Sequence, residues 1–185
     1  MNNPVFFVDG KTEQRIVQNL CPGTKVQLIN CNGSKVSIQS ICNRLATLIR
    51  LLNNKYHPII IIIDREDRIE SVEIIIQSII NDLSARGIKD DIRISVCDRM
   101  IENWILHDIG SLNIDQYDNP DLEIEGKHGK NIMRKHIPNY HEATDGVNLF
   151  LKMSPEFVYK NSNSFRAFVD SIKDLNCNWL RFLVQ

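Results

Sequence analysis

The sequence predicts an α/β fold, a central four-stranded parallel sheet flanked by helices and followed by a mainly helical C-terminal appendage. Three observations predict it. Strand-like and helix-like segments alternate as βαβαβαβα over residues 4–108. The third strand-like segment, Ile59 to Ile63, is isoleucine throughout, as a central parallel strand covered on both faces should be. Between the strands, apolar residues recur at intervals of three and four, the period of a helix with one buried face. Parallel strands joined in this order need right-handed crossovers, which place helices on both sides of the sheet.

Pro4 to Val8 reads as the first strand. Thr12 to Leu20 follows as a helix, with Thr12 available to cap it, Glu13 near its positive end, and Gly10 permitting a tight exit from the strand. Lys25 to Asn30 is the second strand. Val36 to Leu52 is a helix whose buried face carries Ile38, Ile41, Leu45, Leu48 and Leu52. After the isoleucine strand, Arg68 to Arg86 is helical and Gly87 stops it. Ile92 to Cys97 is the fourth strand, and Met100 to Asp108 a helix.

Residues 1–108 are therefore expected to form the α/β domain, and 109–185 an appendage packed on it. Within the appendage Gly110 to Gly129 reads as a long polar loop. Short helices are expected at Lys130 to His136, Gly146 to Met153, Pro155 to Lys160 and Ser164 to Leu175.

At 185 residues and 43% hydrophobic, the chain is long enough to bury a substantial core. A formal net charge of -1 gives no overall attraction to nucleic acid, so contact with phosphates requires a local basic patch or bound cations. No apolar run of membrane-spanning length occurs, and the N-terminus lacks the basic start, apolar stretch and cleavage site of a signal peptide. A cytoplasmic location without membrane contact is the expectation. The five cysteines contain no C-x-x-C pair and are expected to be reduced structural thiols. Of the histidines, His128, His136 and His141 could gather around a metal, or lie on the surface or against phosphate.

In a parallel sheet, ligands sit beyond the carboxyl ends of the strands. Asp9, Asp64 and Asp98 each fall directly after a predicted strand. Asp9 and Glu13 are separated by a turn and a helix start, so both could face one point. Asp64 and Glu66 would face it too if the loop between them is extended. Four carboxylates so gathered repel one another and partly protonate unless a cation neutralises them. Oxygen-only ligands select a hard ion, Mg²⁺ or Mn²⁺. Any one of these acids alone reads as a loop solubiliser or a favourable charge at a helix N-terminus. The set carries more, because the two most apolar strands both end in acids.

"FFVDGKTEQRIV" followed by "IIIIIDREDR" resembles the Toprim fold, a Rossmann-like fold found in topoisomerases, primases and nucleases of the overcoming-lysogenization-defect type. In that family the first strand ends in an acid-Gly pair and the third in a D-x-D-like motif. "CDRMIENWILHD" resembles the E-x-W-x-x-x-D segment of small stand-alone Toprim-like proteins of bacterial defence and mobile-element loci. "NYHEATDGVNLFLKM" and "SFRAFVDSIKDL" are similar to the C-terminal part of that group.

The resemblance implies roles. Asp9 stands where the family has a Glu that acts as general acid/base or metal ligand, and Glu13 matches the second acid of the nuclease version. Asp64 and Glu66 match the D-x-D carboxylates that hold Mg²⁺. The substitutions at Asp9 and Glu66 preserve charge and change reach. Glu102 matches the acid of the narrower group and could complete a second metal site; equally, it reads as a solvated helical acid beside a buried Trp104.

Positive groups are also placed for phosphate. Lys11 lies in the first loop, Arg65 and Arg68 flank the acids of the third strand, and Lys127, Lys130, Arg134 and Lys135 form a basic cluster in the appendage. They could contact a nucleic-acid backbone without reading sequence, or balance local acids. The function expected is a metal-dependent endonuclease or nickase acting on DNA or RNA. Asp64 and Glu66 would hold the ion, Asp9 would position or deprotonate the nucleophile, and Lys130 would offset developing charge. The resemblance further implies an antiphage role with a partner ATPase, and a homo-oligomer is open. The alternative is a catalytically weak Toprim module that binds nucleic acid or a partner and holds a structural ion.

Overall fold

The computed structural model describes residues 3–31, 33, 36–112, 124–175, 177 and 180. Of the expected polar loop, residues 113–123 lie outside the described residues. Four parallel strands, β1 (Val5–Val8), β2 (Lys25–Leu28), β3 (Ile59–Asp64) and β4 (Ile92–Cys97), form one sheet in the order β2-β1-β3-β4. Helix α1 (Lys11–Leu20) joins β1 to β2, α2 (Ile38–Leu51) joins β2 to β3, and α3 (Val72–Ala85) joins β3 to β4.

The chain steps one way from β1 to β2 and the other way from β2 through β3 to β4. With right-handed crossovers, that reversal puts α1 on one face and α2 and α3 on the other. Burial follows the same division. Val5, Phe7, Ile59, Ile61 and Ile63 pack with Ile41 and Leu45 of α2 and Ile75 and Ile79 of α3. Phe6, Val8, Ile60 and Ile62 pack with Ile16, Val17 and Leu20 of α1. Because β3 is covered on both faces, every residue of its isoleucine run is buried.

The α1 face is completed by α4 (Glu102–Leu106), α5 (Gly129–His136), α6 (Val147–Lys152), α7 (Pro155–Asn161) and α8 (Asn163–Ile172), of which α8 lies against β4. Trp104 of α4 fastens them. Its ring stacks on Phe168 at 5.2 Å, meets Phe165 edge-on at 5.2 Å, and its Nε1 donates to Ser164 Oγ at 2.8 Å. The C-terminal helices thus share one core with the sheet.

Several sequence expectations are corrected. Thr12 does not cap α1, which begins at Lys11; Gly10 holds the cap position and its N–H donates to Glu13 Oε2 at 3.0 Å. Gly10 itself is extended, φ -138°, so no glycine-specific conformation is needed at the strand exit. Helix α3 starts at Val72 rather than Arg68, because the Ser71 side chain accepts the Ile74 N–H. Not all the cysteines are thiols: Cys21 at the end of α1 is disulfide-bonded to Cys177, while Cys31, Cys42 and Cys97 are free. The two partners are 156 residues apart, a separation that leaves no local spacing signal. Among the described residues, no helix is long and apolar enough to cross a membrane.

Candidate active site

The strands β1 and β3 are neighbours at the point where the chain reverses its direction across the sheet. There the connections leave to opposite faces, and a crevice opens beyond the carboxyl ends. A cavity of about 400 Å³ occupies this place. Asp9, Glu13, Asp64 and Glu66 bound it from the sheet side, and Lys130, Arg134, Tyr140 and Glu142 from the C-terminal side.

Asp9 is 6% exposed. Its Oδ2 accepts the Asp64 N–H at 3.1 Å, while its Oδ1 is sealed from solvent and has no hydrogen-bond partner among the described residues. Asp64 Oδ1 is likewise sealed and partnerless. Burial, reinforced by the charges of Glu13 and Glu66, pushes the Asp9 carboxyl up to about 7, against the opposing effects of the Asp64 N–H and Arg68. Asp64 is driven well above the usual carboxylate range by burial and then by Glu13, Asp9 and Glu102. Glu13, although bonded to Gly10, is also raised by burial.

Glu102 is 3% exposed, so it is not the solvated helical acid of one sequence reading. Burial lifts it to about 7, opposed by Lys130, and its Oε1 accepts from the Tyr140 hydroxyl at 3.3 Å. These buried acids cannot all ionise together without a compensating positive charge. Without such a charge, they hold protons.

Glu66 departs from expectation. Its φ is +53°, in the left-handed region, so the loop after β3 is not extended and the alternation that would aim Asp64 and Glu66 together does not apply. The conformation is held by two bonds: the Glu66 N–H donates to Arg99 O at 2.7 Å, and Arg99 Nη1 donates to Glu66 O at 2.6 Å. Although Glu66 reaches the cavity lining, its Oε1 accepts the Gly33 N–H at 3.0 Å.

The basic residues divide as sharply. Arg65 forms an ion pair with Asp98 at 2.9 Å, and Arg68 donates to the carbonyls of Asp64, Arg65 and Val36, so both brace loops. Lys127 and Lys135 are exposed and outside the cavity lining. Lys11, Lys130 and Arg134 line it. Of the three histidines considered as ligands, only His141 does so.

Sequence reasoning missed Tyr140 and Glu142, together with two glycines that place their neighbours. A Cβ on Gly129 would lie 2.6 Å from Asn103 Oδ1 and 2.9 Å from Asn103 N; its absence lets α5 start directly on α4, which brings Lys130 beside Glu102. A Cβ on Gly146 would meet the Tyr140 hydroxyl at 2.6 Å. Glycines at the start of a helix and the end of a turn were the only local signals.

Among the described residues, no three His, Cys, Asp or Glu side chains are gathered as a ready-made cation cage, so the expected five-acid ligand set is not assembled. Magnesium does not require such a cage. It keeps several waters and is held by one or two carboxylates together with substrate phosphates. Asp9 and Asp64, with their partnerless oxygens, fit that demand. No protein-family model matches the chain, and neither a curated protein nor a solved structure matches it.

Proposed function

We propose that this chain is a Toprim-like, Mg²⁺- or Mn²⁺-dependent endonuclease or nickase that hydrolyses phosphodiester bonds of DNA or RNA in the cavity beyond β1 and β3. The observation that carries the reading is the pair of sealed, partnerless carboxylate oxygens, Asp9 Oδ1 and Asp64 Oδ1, at the reversal point of a parallel sheet. Asp9 and Asp64 would hold the ion, which supplies charge neutralisation at the scissile phosphate. The chain's own groups supply the rest. Lys130, on the opposite wall, offsets charge that develops on the phosphate. The sequence resemblance supports the same reading and extends the proposal to an antiphage effector working with a partner ATPase.

The test is incubation of purified protein with supercoiled plasmid, single-stranded DNA or total RNA, in Mg²⁺, Mn²⁺ or EDTA. Cleavage of at least one substrate with metal, none in EDTA, and loss in Asp64→Asn is the expected result. Binding without cleavage under every metal condition would favour a nucleic-acid-binding module instead. Absence of both would overturn the proposal.

A further inference from the structure

Glu142 stands at the cavity wall in a π-helical turn, Glu142–Gly146, and its two carboxylate oxygens hold two different cations. Oε2 is 2.8 Å from Lys130 Nζ, and Oε1 is 3.2 Å from Arg134 Nη2. Lys130 and Arg134 are one helical turn apart on α5, so their side chains reach the same point. That point faces the cavity that also receives Asp9 and Asp64. A carboxylate bridging two cations through separate oxygens presents the charge and acceptor pair of a phosphate group.

We infer that Lys130 and Arg134 form a phosphate subsite, and that Glu142 occupies it in the free protein until a phosphate of the nucleic acid displaces it. The inference rests on the reading of the cavity as a phosphodiester site, and adds which cations receive the phosphate and which group must leave. Glu142 is able to leave. Its side chain is 34% exposed, and ion pairs at that exposure contribute little. Its turn is anchored by neighbours instead: Arg15 donates to Ala143 O, the His141 N–H donates to Asp145 Oδ2 at 2.8 Å, and Gly146 seats beneath Tyr140. The side chain is therefore free to swing while the turn stays in place. An acid whose only task was to clamp α5 to the turn would make the opposite prediction, since its removal would loosen the subsite.

The experiment is fluorescence anisotropy of a labelled single-stranded oligonucleotide in EDTA, where no metal-dependent cleavage intervenes. Wild type, Glu142→Gln, Lys130→Ala and the double variant are compared, with inorganic phosphate as competitor. Glu142→Gln is expected to bind about fivefold more tightly and to be competed by less phosphate, and Lys130→Ala is expected to cancel the gain. Glu142→Asp, too short to bridge both cations, should show a smaller gain, and it carries the test if circular dichroism shows Glu142→Gln unfolded. Wild-type binding with no gain in either Glu142 variant overturns the inference and leaves the phosphodiester reading standing. An equal gain in the Lys130→Ala background also overturns it, as a general effect of lost negative charge. No binding by any variant overturns the subsite, while metal-dependent cleavage judges the phosphodiester reading separately.

Discussion

The carboxyl end of β4 and the carboxyl ends of β1 and β3 carry the same residue type at the same edge of the sheet, in opposite surroundings. Asp98, directly after β4, faces Arg65 at 2.9 Å and accepts the Gly126 N–H; its side chain is only 13% exposed. Asp9 and Asp64 are also withdrawn from solvent, yet burial and then the charges of other acids raise them, and each keeps an oxygen that has no hydrogen-bond partner among the described residues. A buried charge given its own counterion is a structural tie. A buried carboxylate whose cationic neighbours do not offset its burial holds a proton or takes up a cation, a property that catalytic sites use. An aspartate at a strand end therefore says little about function until its counterion is known.

The sharpest way to break this comparison is to remove the charges one at a time. Asp9→Asn and Asp64→Asn are each expected to lower metal-dependent cleavage by at least about a hundredfold. Neither should destabilise the protein in EDTA, because an amide relieves the repulsion among the acids. Cleavage rates and calorimetric melting of the same preparations check both halves. Wild-type cleavage in Asp64→Asn would remove it from the mechanism. Asp9→Glu, which restores the acid seen in the resembling family, is expected to keep measurable cleavage.

A second contrast is in pH. Asp9 and Glu102 are raised to about 7, and Glu13 and Asp64 are raised too, so the folded state holds protons that the unfolded chain has released. In EDTA, stability is then full below the unfolded carboxylate range and falls as pH rises from about 4 through about 7, by about 4 kcal/mol for a group shifted as far as Asp9. Mg²⁺ binds the deprotonated acids, so its melting shift should grow over the same interval. The paired acids Asp82 and Asp174 are lowered and work in the other direction, losing their contribution as pH falls. Calorimetry from about pH 5 to about pH 8, with EDTA or Mg²⁺, measures the slope. A flat profile in EDTA would mean that the acids are not raised in the folded state, and the contrast with Asp98 would fail.

Much of this contrast was legible in the sequence, and the limits have physical causes. The boundaries of β4 agree with expectation because Ile92, Ile94 and Val96 alternate with other residues up to Cys97 and Asp98 follows directly. That Asp9 and Asp64 share an edge follows from β1 and β3 being parallel, which puts their carboxyl ends together. What surrounds each acid was not legible. Arg65 looked like a phosphate contact until its partner, 33 residues on, came into place. Glu66 looked like the second ligand until its left-handed backbone turned it toward Gly33. Tyr140 and Glu142 reach the site through the packing of α1, α4, α5 and α6, of which Gly129 and Gly146 give the one local sign.

The last prediction tests the compensated end, where the expected effect on cleavage is the smallest. Asp98→Asn leaves Arg65 charged and mostly buried, with its side chain 17% exposed, and should cost about 3 kcal/mol of stability, since a buried charge without its partner is strongly unfavourable. Arg65→Met should cost a similar amount for the mirrored reason. The double variant removes both charges and should lose clearly less than the sum of the two, because the single variants share one broken interaction. Denaturant unfolding at one pH gives all four values. Cleavage by folded Asp98→Asn, measured well below its melting temperature, should stay within a few-fold of wild type, because Asp98 is absent from the residues lining the cavity. If Asp98→Asn kept its stability and lost cleavage as Asp64→Asn does, the two ends of the sheet would be doing the same work, and the distinction drawn from their counterions would fail.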